Sequence, residues 1–152
     1  HQAIHYCGAH RIGHGTRLLE DASLMDYVRD HRIPLEICLT SNVQTCVVER
    51  LQDHPFRQYL DYNLRVTLNT DSRLVSNTNV TRELYRACRT FRLNHYELRH
   101  ILLNGFRSAF LPYPEKVGLI RDSLREIDAI LGENFPMDDL VVLQDWRSLE
   151  HH

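Results

Sequence analysis

A histidine, an asparagine and an aspartate stand at near-regular intervals in this chain, each after an apolar run. His14 lies in Arg11-Ile12-Gly13-His14-Gly15, Asn42 closes Pro34-Leu35-Glu36-Ile37-Cys38-Leu39-Thr40-Ser41-Asn42, and Asp71 closes Val66-Thr67-Leu68-Asn69-Thr70-Asp71. The interval from His14 to Asn42 nearly equals that from Asn42 to Asp71. Such a step fits one strand, one helix and two short loops. The pattern predicts parallel strands whose C-terminal ends set polar groups side by side on the rim of an α/β barrel. A neutral imidazole there can ligate a metal or hold a bound water. A carboxylate at a strand tip can bind zinc or accept a proton. Each residue also has a simpler use: His14 as a turn histidine, Asp71 as the start of an Asx turn, and Ser41-Asn42 as a turn cap.

The other polar residues read as structural. His54-Pro55 marks a helix start, and His5, His10, His31, His95 and His100 sit in helical or loop contexts. Arg82, Glu83, Arg86 and Arg89 form a solvated helix face, and Ser23 has no partner pattern for nucleophilic catalysis. Cys7, Cys38, Cys46 and Cys88 include no C-x-x-C pair. A thiolate zinc site and a secreted disulfide framework are therefore both disfavoured, and reduced thiols in a cytoplasmic protein are expected.

The elements that must position the polar groups follow from local pattern. A first helix over residues 1–8 is closed by Gly8. Ile12 opens a strand ending at Gly13-His14-Gly15, whose glycines allow a tight turn and close backbone approach. A helix over 21–31 carries Leu24, Met25 and Val28 on one face. Strand two covers 35–40, followed by a helical turn near 47–51. Asp53 as N-cap and an early proline start the next helix, with Phe56, Tyr59 and Leu60. Strand three covers 64–69. A polar loop from Ser72 to Asn79 leads to helices over 80–91, 95–109 and 115–131, the last with Ile120, Leu124, Ile127 and Ile130/Leu131 on one face. The tail after Gly132 is irregular.

The chain has 152 residues, enough for one domain with a real core, and its 43% hydrophobic and 25% charged residues are those of a globular protein. Net charge is −2 and the arginines are scattered among acids, so no nucleic-acid partner is expected. No apolar run reaches the length of a membrane span, so no membrane partner is expected either. Leu149-Glu150-His151-His152 reads as a tag remnant, leaving residues 1–148 as part of a single domain. The chain opens without methionine, inside a helix, and is expected to be the C-terminal part of a longer protein.

Taken together, the motifs resemble the adenosine deaminase family of the metal-dependent amidohydrolases. Arg11-Ile12-Gly13-His14-Gly15 is similar to its R-[IL]-G-H-G motif, Leu39-Thr40-Ser41-Asn42-Val43-Gln44-Thr45 to L-T-S-N-x-x-T, and Asn69-Thr70-Asp71 to the start of N-T-D-D-P. His54-Pro55 matches a helix start of that family. The resemblance covers roughly residues 1–112, in order and spacing.

The resemblance implies a (β/α)8 TIM-type barrel, with this chain supplying strands six to eight and the helices after them. It implies a Zn2+-dependent hydrolysis of a purine nucleoside, adenosine plus water giving inosine plus ammonia, as in purine salvage. By the same resemblance Asp71 is a zinc ligand that can also take a proton from the water. His14 stabilises the attacking hydroxide, and Gly13 and Ser72 line the substrate. The family's H-x-H pair and H-A-G-E segment are absent and are expected upstream of His1. The N-terminal remainder of the same protein is thus the expected partner, and the fragment alone is expected to be inactive. The family's second aspartate and its proline are Ser72 and Arg73 here, which puts base specificity in question. Adenine or another aminopurine is the rival substrate, and a non-catalytic binding protein is the rival class. A barrel sheet cut after its fifth strand leaves an open edge, so limited stability of the isolated piece is expected.

Overall fold

A computed structural model describes residues 1–134. Past Asn134, the tail expected to be irregular and the tag remnant at 149–152 lie outside the described residues. The chain divides into two compact units, His1–Ser108 and Ala109–His152.

The first unit is built on a parallel three-stranded sheet in the order β1 (Ile12–Gly13), β2 (Leu35–Ile37), β3 (Val66–Leu68). The register pairs Ile12 with Leu35 and Leu35 with Val66. The ladder continues one residue past each strand, with the His14 amide donating to Glu36 O and the Asn69 amide to Ile37 O. All three residues of β3 are buried, as expected for a parallel strand covered on both faces. Thr67 tolerates this because its hydroxyl donates to Leu35 O at 3.2 Å.

The helices of this unit are α1 (Gln2–His5), α2 (Ala22–Asp30), α3 (Leu39–Gln44), α4 (Phe56–Asp61), α5 (Arg73–Ser76), α6 (Val80–Phe91) and α7 (His95–Arg107). Helices α4, α6 and α7 contact β3. Val28, Leu35, Ile37, Phe56, Tyr59, Leu64, Val66, Ala87, Phe91 and Ile101 meet in one apolar cluster. Asn104 of α7 is buried and its amide donates to Val66 O, tying that helix to β3. Three helix starts are capped as their sequences favour: Asp21 accepts from Leu24 N, Asn79 from Arg82 N, and Asn94 with Glu97 forms a capping box. Among the described residues no helix is long and apolar enough to cross a membrane. All four cysteines are free.

In the second unit, α8 (Tyr113–Asn134) extends a little beyond its expected range at both ends. Ser123 and Leu131 are its buried positions, whereas Ile130 is exposed, so the stripe ends on Leu131 alone.

Five expectations need correction. Strand two ends at Ile37, and Leu39 to Gln44 are helical. No side chain within α3 caps its start. Instead the carboxyl of Glu83, fully buried, accepts from Thr40 N at 3.1 Å, from the Thr40 hydroxyl, and from the Thr78 hydroxyl at 2.7 Å. Glu83 is therefore not part of a solvated face, and a tertiary partner decides where the helix begins. Residues 47–50 are not helical, and a 3₁₀ turn forms at Leu51–Asp53. Asp53 does not cap α4, because it is held by Arg50 at 2.8 Å. Pro55 occupies the cap position, and the ring of His54 accepts from Phe56 N at 3.0 Å. Finally, the expected polar loop contains α5, closed by Asn77 in the left-handed region at φ 46°.

Two outcomes follow for stability. In Glu83→Ala, buried donors at Thr40 and Thr78 lose their acceptor, so urea denaturation should show a loss of about 3–5 kcal/mol. Glu83→Gln should lose less, because one carbonyl can still accept, and Arg82→Ala on the exposed side should change stability by under about 0.5 kcal/mol. An Ala variant as stable as the parent would contradict the buried network. His54 is 3% exposed, and burial, reinforced by the charge of His14, lowers its pKa from 6.5 to about 4. Its folded pKa lies below its unfolded value. Its contribution is thus complete above about pH 6.5 and disappears as pH falls through about 4. Over that window the denaturation midpoint should fall, with up to about 3 kcal/mol lost, and His54→Gln should show a shallower slope.

Candidate functional site

The polar groups singled out in the sequence meet at the C-terminal edge of the sheet, but not for the reason their spacing suggests. His14 follows β1 directly. Asn42, however, lies inside α3, and the first residues past the ends of β2 and β3 are Cys38 and Asn69. The step from Ile12 to its partner Leu35 is clearly shorter than the step from Leu35 to its partner Val66. The even spacing of the polar residues is therefore not a strand repeat. Asn42 reaches His14 because α3 begins at once after β2 and turns its first residues back over the rim.

Backbone conformation aims the two titratable groups. His14 and Asp71 both occupy the left-handed region, at φ 60° and 56°. For residues with a Cβ this is uncommon and costs conformational energy. Gly15 also has positive φ, at 62°, with Leu35 Cδ2 only 3.2 Å from where its Cβ would stand. Gly13 has no such constraint: a Cβ there would meet nothing within 4 Å. The turn is tied down by the buried Tyr59, whose hydroxyl donates to Gly15 O at 2.7 Å. Burial pushes the Tyr59 phenol up to about 12, so it stays protonated as the donor.

Around this edge the contacts are directional. The Ser41 hydroxyl donates to Asp71 Oδ2 at 2.8 Å. His14 Nε2 stands 3.9 Å from the same oxygen. Both side chains are about two-fifths exposed, 43% for His14 and 41% for Asp71, and so face the open side of the rim. Asn42 Nδ2 lies 3.0 Å from His14 Nδ1, and Asn42 Oδ1 lies 3.2 Å from His54 Nε2. Asn42 and His54 are both buried. Cys38 beneath them is inert: burial, followed by the charges of Asp71, Glu83 and Glu36, pushes its thiol up to about 12. It offers neither a nucleophile nor a thiolate ligand.

Gly13 and His14 border a cleft of about 410 Å³ that is otherwise largely apolar, with Ile4, Ile12, Leu24 and Leu35 among its walls. That volume is within the usual range for small-molecule sites, about 300–1,000 Å³. Ser72 is exposed at the start of α5 and makes no side-chain cap bond, so its hydroxyl is not spent on the helix. The sequence pointed to His14, Asp71, Gly13 and Ser72, and His14, Asp71 and Gly13 share this edge. Sequence reasoning underrated Ser41 and Asn42, treated His54 as a mere helix start, and missed Glu83.

The donor types suit zinc, since a carboxylate oxygen and an imidazole nitrogen are ordinary zinc ligands. The number does not complete a site. Among the described residues no three His, Cys, Asp or Glu side chains converge as a metal cage.

The family model for adenosine deaminase matches residues 1–127. An adenosine deaminase of Mycobacteroides abscessus is 41% identical over 142 residues, which is 86% of this chain and 39% of that protein. Among solved structures, an adenine deaminase from Arthrobacter aurescens superposes with a TM-score of 0.78 at 26% identity, covering 86% of this chain and 39% of that one. The N6-methyl-AMP deaminase of Arabidopsis thaliana superposes with a TM-score of 0.68, also at 26% identity, covering 77% and 34%. The chain spans about two-fifths of the length of the curated relatives it matches. Its α/β architecture is shared with these solved deaminases. With a family model over most of its length and a relative at 41% identity, this chain belongs to the adenosine deaminase family.

Proposed function

We propose that this chain supplies the strand-six-to-eight rim of a metal-dependent enzyme that hydrolytically deaminates an aminopurine, with adenosine as substrate. The observation that carries the reading is the convergence of His14, Ser41 and Asp71 at one sheet edge, in the motifs of the matched family. Asp71 is the metal ligand this chain contributes, and the remaining ligands come from the rest of the protein. When bound, the metal ion, proposed as Zn2+, lowers the pKa of a coordinated water toward neutrality.

The chain's own residues then have distinct tasks. The Ser41 hydroxyl occupies one lone pair of Asp71 Oδ2 and fixes the plane of that carboxylate. Asp71 takes a proton from the attacking water. His14 presents Nε2 toward the same point and stabilises the charge on the attacking oxygen. That oxygen forms a bond to the purine carbon bearing the amino group. The carbon–nitrogen bond breaks, the proton held by Asp71 passes to the departing nitrogen, and the second hydrogen of the water ends on the ring nitrogen beside that carbon, so that adenosine and water give inosine and ammonia. Gly13 leaves open space for the substrate, and Ser72 offers an uncharged hydrogen bond to the base where the family motif has an aspartate.

A second reading is favoured by Ser72 and Arg73 together. The loss of the second motif carboxylate removes a charged contact to the base, and relatives of this fold include adenine and N6-methyl-AMP deaminases. A panel of adenosine, adenine and N6-methyl-AMP on the complete protein separates these readings: fastest ammonia release from adenosine is expected, and faster turnover of adenine would overturn the nucleoside assignment. Beside it, Asp71→Ala should lose bound zinc together with at least about 10²-fold in turnover, and His14→Ala should keep zinc but lose roughly 10²–10³-fold in kcat. Gly13→Ala should fold normally and raise KM; an unchanged KM would remove Gly13 from the substrate path.

A further inference from the structure

We propose that His54 and Asn42 are positioning residues that fix the tautomer of His14, through a one-way hydrogen-bond path beginning at the Phe56 amide. The inference rests on the reading of His14 as the group that steadies the attacking oxygen. The path has an unambiguous origin, because a backbone N–H can only donate. Pro55 has no N–H, so Phe56 carries the first donor of α4, and it donates to His54 Nδ1 at 3.0 Å. An imidazole that accepts at Nδ1 keeps its hydrogen on Nε2. His54 Nε2 therefore donates to Asn42 Oδ1 at 3.2 Å. With its oxygen so engaged, Asn42 turns its NH2 group to His14 and donates to Nδ1 at 3.0 Å. His14 must then accept at Nδ1, and its neutral ring carries its hydrogen on Nε2, which is the nitrogen facing Asp71.

Burial makes the direction hold. His54 is 3% exposed and Asn42 2%, so bulk water does not compete for the bond between them. Flipping the Asn42 amide would set donor against donor at His54 Nε2, whose hydrogen is fixed by the Phe56 amide on the other ring nitrogen. Rotating the His54 ring would leave the Phe56 N–H without its acceptor. A free imidazole samples both tautomers, but here the rim receives a donor at Nε2 and not a lone pair. His54 and Asn42 touch no substrate in this scheme and act only through His14.

The test uses the complete protein with 15N-labelled histidine, two-bond proton–nitrogen spectra to locate the ring hydrogens, and His14→Gln to assign the His14 signals. In the parent, both His14 and His54 should show a bare Nδ1 and a protonated Nε2. Asn42→Asp keeps the shape but presents only acceptors, so His14 Nδ1 should gain a hydrogen. Turnover should fall about 10–100-fold in kcat with little change in KM. His54→Gln, which can still donate to Asn42, should retain the parental His14 pattern and most of kcat, whereas His54→Leu should not. A hydrogen on His14 Nδ1 in the parent, or an unchanged His14 pattern in Asn42→Asp, would overturn the proposal. If His54→Leu does not fold, Asn42→Asp decides alone. The spectra require no substrate, so the expected tautomers in a protein that releases no ammonia would sink the deaminase reading and leave the path standing.

Discussion

The rim depends on a carboxyl group buried out of sight of it. Glu83, on α6, accepts from the backbone and side chain of Thr40 and from Thr78, and so determines where the chain leaves β2 and enters α3. Three consecutive residues inherit that decision. Thr40 is pinned, Ser41 is turned toward Asp71, and Asn42 is turned toward His14 and His54. A short helix with no cap of its own has little intrinsic stability. It is held by tertiary hydrogen bonds made inside the core, where an unmet donor is costly. The start of α3 and the placement of Ser41 and Asn42 at the edge are therefore coupled through one buried side chain.

Strain and support are divided in a similar way. His14 and Asp71 each carry the cost of a left-handed backbone. Each is compensated close by: the His14 turn by the Tyr59 hydroxyl on Gly15 O, and the Asp71 carboxylate by Ser41. The groups that touch His14 and Asp71 directly, Asn42 and Ser41, are neutral donors, and burial displaces Tyr59, Cys38 and His54 toward their neutral forms. An arrangement of this kind leaves His14 and Asp71 as the solvent-facing members of the edge, with their supports behind them.

Much of this was legible in the chain itself. Apolar runs marked all three strands, β3 most directly, because Val66 to Leu68 carries no charge and two β-branched residues. The caps at Asp21, Asn79 and Asn94 were of residue types that favour helix starts, and the helices they open fall close to their pattern. The motif residues His14 and Asp71 do lie at the sheet edge. The errors have a common cause. Cys38 to Thr40 looks like the end of a strand because Cys, Leu and Thr suit one, yet Leu39 and Thr40 open a helix whose start is held by Glu83, distant in the chain. Glu83 looks solvated because it sits among arginines, and only the fold reveals its donors. His54 looks like helix punctuation because its partner Asn42 is fixed by tertiary contact. The even spacing of His14, Asn42 and Asp71 was suggestive for the wrong reason, since Asn42 is carried in by α3 and not by a strand end.

If this edge serves metal-dependent loss of an amino group from a purine, metal and turnover must rise and fall together. The most direct measurement follows ammonia release from adenosine with the complete protein, first stripped of metal by a chelator and then titrated with zinc. No release is expected from the stripped protein, and recovery should saturate at one zinc per chain, with inosine formed in equal amount to ammonia. Turnover that is indifferent to metal removal, or zinc bound at full occupancy with adenosine left unchanged, would contradict that role.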